Sequence, residues 1–455
     1  MDTTTGTTTT GTTTTGATTT GAAVPRGPVT ARERALAPDL ARGAMLLLIV
    51  LANTPYYLWG LEHGLTSGHP LTGSVADRAV QAVMLVAVDL RTYPMFAFLF
   101  GYGIVQLRRR QQEAGVPERD VRRLLRRRHW WLLAFGLVHA ALLWEGDILG
   151  IYGLVGLLTC WLFLRRSERV LRVWSGVLVG LMVAGTVLAV AYAWSVRDLL
   201  TVDDVGSGPD VGNAIANPDY LASVGDRLVT WTILLLLQGV LTLVVPLVVL
   251  LAFQAARHRV LEEPGRHLPL LRRVAVAGLA VGWLGGLPGA LAQLGVLEVP
   301  DGGAWALFPV QATTGLFAGV GYVACFGLLA HRLSTRAGGQ GRVVGAVRAL
   351  GERSLSGYLV QSLLCAPLLA AWGLGLGRHL SSWSMAVVAV GVWLLTVAGA
   401  AWLGARGRRG PAEVALRRLT YGRAAARTTG SPAVADVDHQ TRPAAGTVQG
   451  EDAER

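Results

Sequence analysis

His139 lies inside an apolar stretch from His129 to Leu164, HWWLLAFGLVHAALLWEGDILGIYGLVGLLTCWLFL, interrupted at its middle by Glu145, Gly146 and Asp147. An imidazole titrates near neutrality without help, so it suits a general base. A carboxylate close by, Glu145 or Asp147, can orient the ring as the acidic member of a catalytic triad does. Ionisable side chains within a membrane segment cost about 2.5–3.5 kcal/mol each on insertion scales, and they mark a site or a pathway by default. The alternative for His139 is a packing histidine that hydrogen-bonds a neighbouring helix.

Further candidates fall into two groups. Arg42, Leu46, Ile49 and Asn53 recur at i, i+4, i+7 and i+11, one stripe of a helix. An arginine at the cytoplasmic border can grip phosphates, and an amide deeper in can donate to a developing oxyanion. Asp89 and Arg91 are placed at the outer mouth, as substrate contacts or as a solvated interfacial face. On the cytoplasmic half, Tyr358 and Gln361 follow the polar start of a span at Ser354 and are substrate contacts or interhelical glue. Cys160, Cys325 and Cys365 are scattered through apolar spans, so neither a metal set nor a disulfide framework is expected.

The elements that must hold these residues are membrane helices. More than half of the residues are apolar and only 15% are charged. The apolar residues come in long blocks, at 41–58, 79–107, 129–164, 173–194, 228–253, 274–297, 304–330, 355–374 and 383–403, most of which are long enough for a tilted helix. Continuous rather than alternating apolarity excludes a β-barrel. All 41 basic residues are arginine. They cluster at 108–128, 165–172, 257–273, 332–353 and 406–423, whereas the segment 196–226 carries six Asp and one Arg. The positive-inside rule then predicts an all-α bundle of about ten spans in the cell membrane with both termini cytoplasmic. The net charge of +12 is a topology signal, and no nucleic-acid partner is expected.

Block 129–164 is expected to form two spans of about 17 residues with Glu145–Asp147 as the turn. Within 79–107, Asp77, Arg78, Gln81, Asp89 and Arg91 fall largely on one stripe and Val80, Val83 and Met84 on another. That pattern predicts an amphipathic helix at the outer interface, followed by a span from Thr92. Residues 1–29 form a Thr/Gly tract too poor in apolar side chains to fold, and 423–455 are expected to be a disordered tail. Residues 30–422 are expected to make one membrane domain.

Five blocks in order carry a resemblance to a known family. They are Pro38 to Gly43 running on to Asn53; Pro94 to Gly103; Gly136 to His139 followed by Gly146 to Leu149 and Tyr152; Gly357 to Ser362; and Gly410 to Glu413 followed by Arg417 to Gly422. These resemble the bacterial YeiB-like membrane proteins, a domain-of-unknown-function family, over about 38–422. A more distant likeness adds chemistry. Arg42 and Asn53 are spaced as in the Arg-x10-His layout of acyltransferase-3 membrane enzymes. Asp89 with the Phe-rich run after Pro94 is similar to heparan-α-glucosaminide N-acetyltransferase relatives.

The likeness implies transfer of an acyl group from cytoplasmic acyl-CoA, as co-substrate with no bound cofactor, to an envelope glycan or lipid. Asn53 stands where that layout has histidine, and an amide is no base, so His139 is the expected substitute. A transporter or flippase with a polar pathway is the competing expectation, and a membrane scaffold the third.

Overall fold

The computed structural model describes residues 35–64, 67–199, 214–336 and 341–427. The expected tail at 1–29, most of that at 423–455 and the centre of the acidic segment lie outside these residues. Among the described residues the regular elements are helices, with one isolated bridge between His63 and Pro70. In chain order they are α1 Leu36–Ala52, α2 Val75–Ala87, α3 Thr92–Glu113, α4 Glu118–Leu142, α5 Ile148–Leu162, α6 Glu168–Val196 and α7 Tyr220–Leu236. There follow α8 Val244–Arg257, α9 Leu268–Gln293, α10 Leu307–Ser334, α11 Arg342–Gly351, α12 Ser354–Leu369, α13 Ser382–Ala405 and α14 Pro411–Arg427.

Among the described residues, six helical segments are long and apolar enough to cross a membrane: Val75–Glu113, Glu168–Val196, Tyr220–Leu241, Pro264–Gln293, Gly302–Ser334 and Ser382–Ala405. This is a multi-span helical membrane protein. Buried side chains of α1, α3, α5 and α8 make the main core. In α8 the run Val244, Val245, Leu247, Val248, Val249 and Leu250 is almost wholly enclosed. Helices α9 and α10 close one side through Gly278, Gly282, Gly285 and Gly289, a stripe of missing side chains that lets the two helices approach. A Cβ on Gly278 would strike the carbonyl of Phe317, and one on Gly282 would strike Ala318.

Three sequence expectations are corrected. The block at 228–253 is not one helix: α7 passes into a π-helical turn at Leu237–Leu241, Leu243 takes φ +60°, and α8 starts afresh. The hairpin at 129–164 is uneven, with 25 residues in α4, which begins back at Glu118 among the arginines, and 15 in α5. The third concerns α2, which turns Asp77 and Gln81 inward and leaves Arg78 exposed. Asp77 and Gln81 are buried while Val75 and Val83 are 86% and 62% exposed. Asp77 accepts from the Trp383 amide at 2.9 Å, and Gln81 donates to Ser382 at 2.9 Å. With lipid as the surrounding solvent, valine belongs outside and the polar groups find partners inside.

Candidate active site

Helix α4 ends at Leu142, and His139 occupies its last turn. His139 is 3% exposed, and its Nδ1 lies 2.9 Å from Asp147 Oδ1. A carboxylate only accepts, so Nδ1 carries a hydrogen, and in the neutral ring Nε2 is the nitrogen with the lone pair. Nε2 is buried without a hydrogen-bond partner among the described residues. Asp147 is also the N-cap of α5, where unpaired amides favour an anion: its Oδ2 accepts from the Gly150 amide at 2.7 Å and from Trp231 Nε1 at 3.4 Å. The Tyr358 hydroxyl accepts from the Ile148 amide at 3.3 Å, and its ring lies 5.1 Å from the His139 ring. One buried carboxylate thus holds a histidine, a tryptophan and a helix start, with a tyrosine beside them.

The end of α4 is fixed by a residue that sequence reasoning missed. Arg227 of α7 is fully buried and donates through Nε and Nη2 to the Ala141 carbonyl, at 3.1 and 2.9 Å. It satisfies a terminal carbonyl of the helix that carries His139. Its place at the edge of an apolar block was the available signal.

Tyr358 divides two cavities. The larger, about 540 Å3, opens between the N-terminal ends of α1, α5 and α12, the middle of α4, the length of α3, and α14. Arg42, Arg109, Arg110, Arg128, Arg409 and Arg417 line it, and Phe96, Phe100, Leu149, Tyr152 and Tyr358 form its apolar end. Phe96 and Phe100 both stack on Tyr152, with centroids 4.7 and 5.3 Å away. On the other side of Tyr358, Asn53, Gln361, Ser362 and Cys365 border a cavity of about 10 Å3, near the size that one water fills. Gln361 is 3% exposed, and both its Oε1 and Nε2 lack partners among the described residues.

Of the residues expected at the site, His139 and Asp147 pair directly, Tyr358 joins them, and Asn53 and Gln361 lie behind Tyr358. Arg42 lines the larger cavity and is tied to Asp39 at 3.3 Å and to the Leu99 carbonyl at 3.1 Å. Glu145 is buried but does not orient the histidine; it lies within electrostatic range of Arg227 and Asp226.

Asp89 and Arg91 stand apart from the site. Arg91 is fully buried rather than solvated, with donors on the Asp89 carbonyl and, at 2.8 Å, on the Gly282 carbonyl. Asp89 pairs with His69 at 2.7 Å. Nor is His139 alone among deep histidines. His129 is fully buried against Gly156 and Phe100 with both ring nitrogens unpartnered, a place hidden in the sequence by the arginines before it.

Along its length the chain is 27% identical to the uncharacterized protein YxaH of Bacillus subtilis, covering 87% of this chain and 96% of that one. It is 26% identical to the uncharacterized protein YeiB of Escherichia coli, covering 85% and 96%. Residues 255–423 match the family model described as protein of unknown function DUF418. The chain is thus similar to YxaH and YeiB along most of its length. The region matched by the family model runs from the end of α8 into α14. It therefore includes Tyr358, Gln361 and the cavity wall of α14, while His139 and Asp147 lie ahead of it.

Proposed function

We propose that this YeiB-like protein is a cell-membrane acyltransferase. It takes an acyl group from a cytoplasmic acyl-CoA and passes it to a hydroxyl or amine of an envelope glycan or lipid. The observation that supports this most is a single line of groups: an arginine-rimmed cavity, an apolar end, Tyr358, and behind it His139 paired to Asp147. A cavity of about 540 Å3 falls within the usual range for small-molecule sites.

In this reading the arginines receive the phosphates and the apolar end receives the thioester arm. Displacement of the Tyr358 ring joins the two cavities. His139 Nε2 takes the acceptor proton as the acceptor O or N attacks the thioester carbonyl. Asn53 or Gln361 donates to the oxyanion. The C–S bond then breaks, the proton passes from His139 to the departing thiolate, and free CoA thiol leaves. Asp147 stays ionised and stabilises the imidazolium that forms between the two transfers.

The test is thiol release from acetyl-CoA by the full chain in nanodiscs supplied with envelope extract, with the label followed into the acceptor. His139→Gln keeps a hydrogen-bonding side chain, yet it should slow release by about 10²–10⁴-fold. Equal turnover by the variant and the parent makes His139 structural and removes the reading. A second reading, transport, draws on the break between α7 and α8 and on the short α5, α8 and α12, since interrupted helices line substrate paths in transporters. Substrate uptake by proteoliposomes without acyl-CoA would favour it.

For topology the proposal is ten crossings with both termini cytoplasmic. It places the arginine-rimmed cavity on the cytoplasmic face, where acyl-CoA is, and is supported by the arginine clusters that flank the cavity.

A further inference from the structure

The six arginines that line the larger cavity are not equivalent. Arg42 is engaged by Asp39 and the Leu99 carbonyl, and Arg109 by Glu262 and Glu113. Arg110, Arg409 and Arg417 have partners as well. Arg128 forms no ion pair among the described residues, and its Nε is buried without a hydrogen-bond partner. A desolvated cation without a counter-charge is expensive.

Facing it is α14, which packs on α4. Tyr421 lies beside Arg128, and Thr420 is only 4% exposed with its Oγ1 unpartnered. Both residues line the same cavity as Arg128. A half-buried guanidinium whose Nε has no acceptor, a buried hydroxyl without a partner and a phenol stand together on one wall. The Arg417–Gly422 block, which the reaction itself leaves without a task, supplies two of the three.

We infer that Arg128, Thr420 and Tyr421 form a phosphate-binding subsite, taking a phosphate ester or diphosphate of the ligand that enters the cavity. A phosphate offers acceptor oxygens to all three side chains and supplies the charge that Arg128 lacks. The subsite deepens the acyltransferase reading and rests on it only for the identity of the carrier; the same chemistry fits the headgroup of an anionic phospholipid.

The experiment uses the full chain in phosphatidylcholine nanodiscs, with binding of CoA and of phosphate-free pantetheine measured by calorimetry. Retention of phosphatidylglycerol is followed by native mass spectrometry. Arg128→Gln should weaken CoA by about 10–100-fold, the loss of a charge-assisted bond, and leave pantetheine unchanged. Arg128→Lys should fall between the variant and the parent. Thr420→Val, which changes shape least and covers the case in which Arg128→Gln does not fold, should weaken CoA by about 2–10-fold.

If the parent holds phosphatidylglycerol and not CoA, and both variants release it, the subsite stands and the CoA reading falls. If both variants bind CoA and phosphatidylglycerol as the parent does, or if the parent binds neither, the subsite is overturned.

Discussion

A histidine base is only as well aimed as the carboxylate behind it, and Asp147 is held by close packing as much as by hydrogen bonds. Gly136, one turn before His139, lies directly against it: a Cβ there would strike Asp147 Oδ2 and the Gly150 amide. Gly136→Ala therefore adds one methyl group where α4 and α5 touch. Overpacking of this kind costs about 1–3 kcal/mol, and here it is relieved by moving Asp147 away from His139. The variant should melt earlier in detergent and lose acyl release although no titratable group has changed. An alanine variant with the parent's melting temperature and turnover would sink the idea that this contact sets the pair. His139 and Asp147 were legible in the sequence because polar residues stand out in an apolar run. Arg91, Thr420 and Gln361 were ambiguous because burial decides their roles, and burial comes from helices far away in the chain. Arg91 meets α9 across nearly two hundred residues.

The short helices owe their positions to caps that cross the fold. Helix α12, which carries Tyr358 and Gln361, begins inside the protein, where its first amides need acceptors. Glu413 of α14 supplies them, accepting from the Leu355 amide at 2.8 Å, the Ser356 amide at 3.1 Å and the Ser356 hydroxyl at 2.5 Å. A carboxylate at a helix N-terminus also meets the positive end of the helix dipole. Glu413→Gln keeps one acceptor and loses the charge, whereas Glu413→Ala loses both. Stability should fall in that order, by about 0.5–2 kcal/mol for the glutamine and more for the alanine, in thermal unfolding of the purified protein. An alanine variant as stable as the parent would show that water replaces the cap. Element existence was legible in the apolar blocks, but their ends were not. The break at Leu237–Leu243 carries no charge, and its marks are weak ones, Gln238, Gly239 and Thr242 inside an apolar run and Pro246 in the first turn of α8.

Across the whole molecule, helices of very different length are packed together. Helix α8 has 14 residues and rises about 21 Å, and α5 with 15 rises about 22 Å, both short of the roughly 30 Å of a hydrocarbon core. The larger cavity opens beside the short α5 and α12 and is walled by α1, α3, α4 and α14. This arrangement decides which solvent each cavity meets, so the sidedness of the chain carries the functional reading. Reporter fusions after Arg110, Arg166, Arg259 and Arg336 should all give a cytoplasmic signal, and a fusion within 196–226 an external one. The arginine clusters alternate with the acidic segment in the order that ten crossings require, and nine or eleven would put clusters of both kinds on one face. A cytoplasmic signal from 196–226 would turn the arginine-rimmed cavity outward, away from acyl-CoA. The proposed donor would then have no route to His139, whatever the chemistry of the pair.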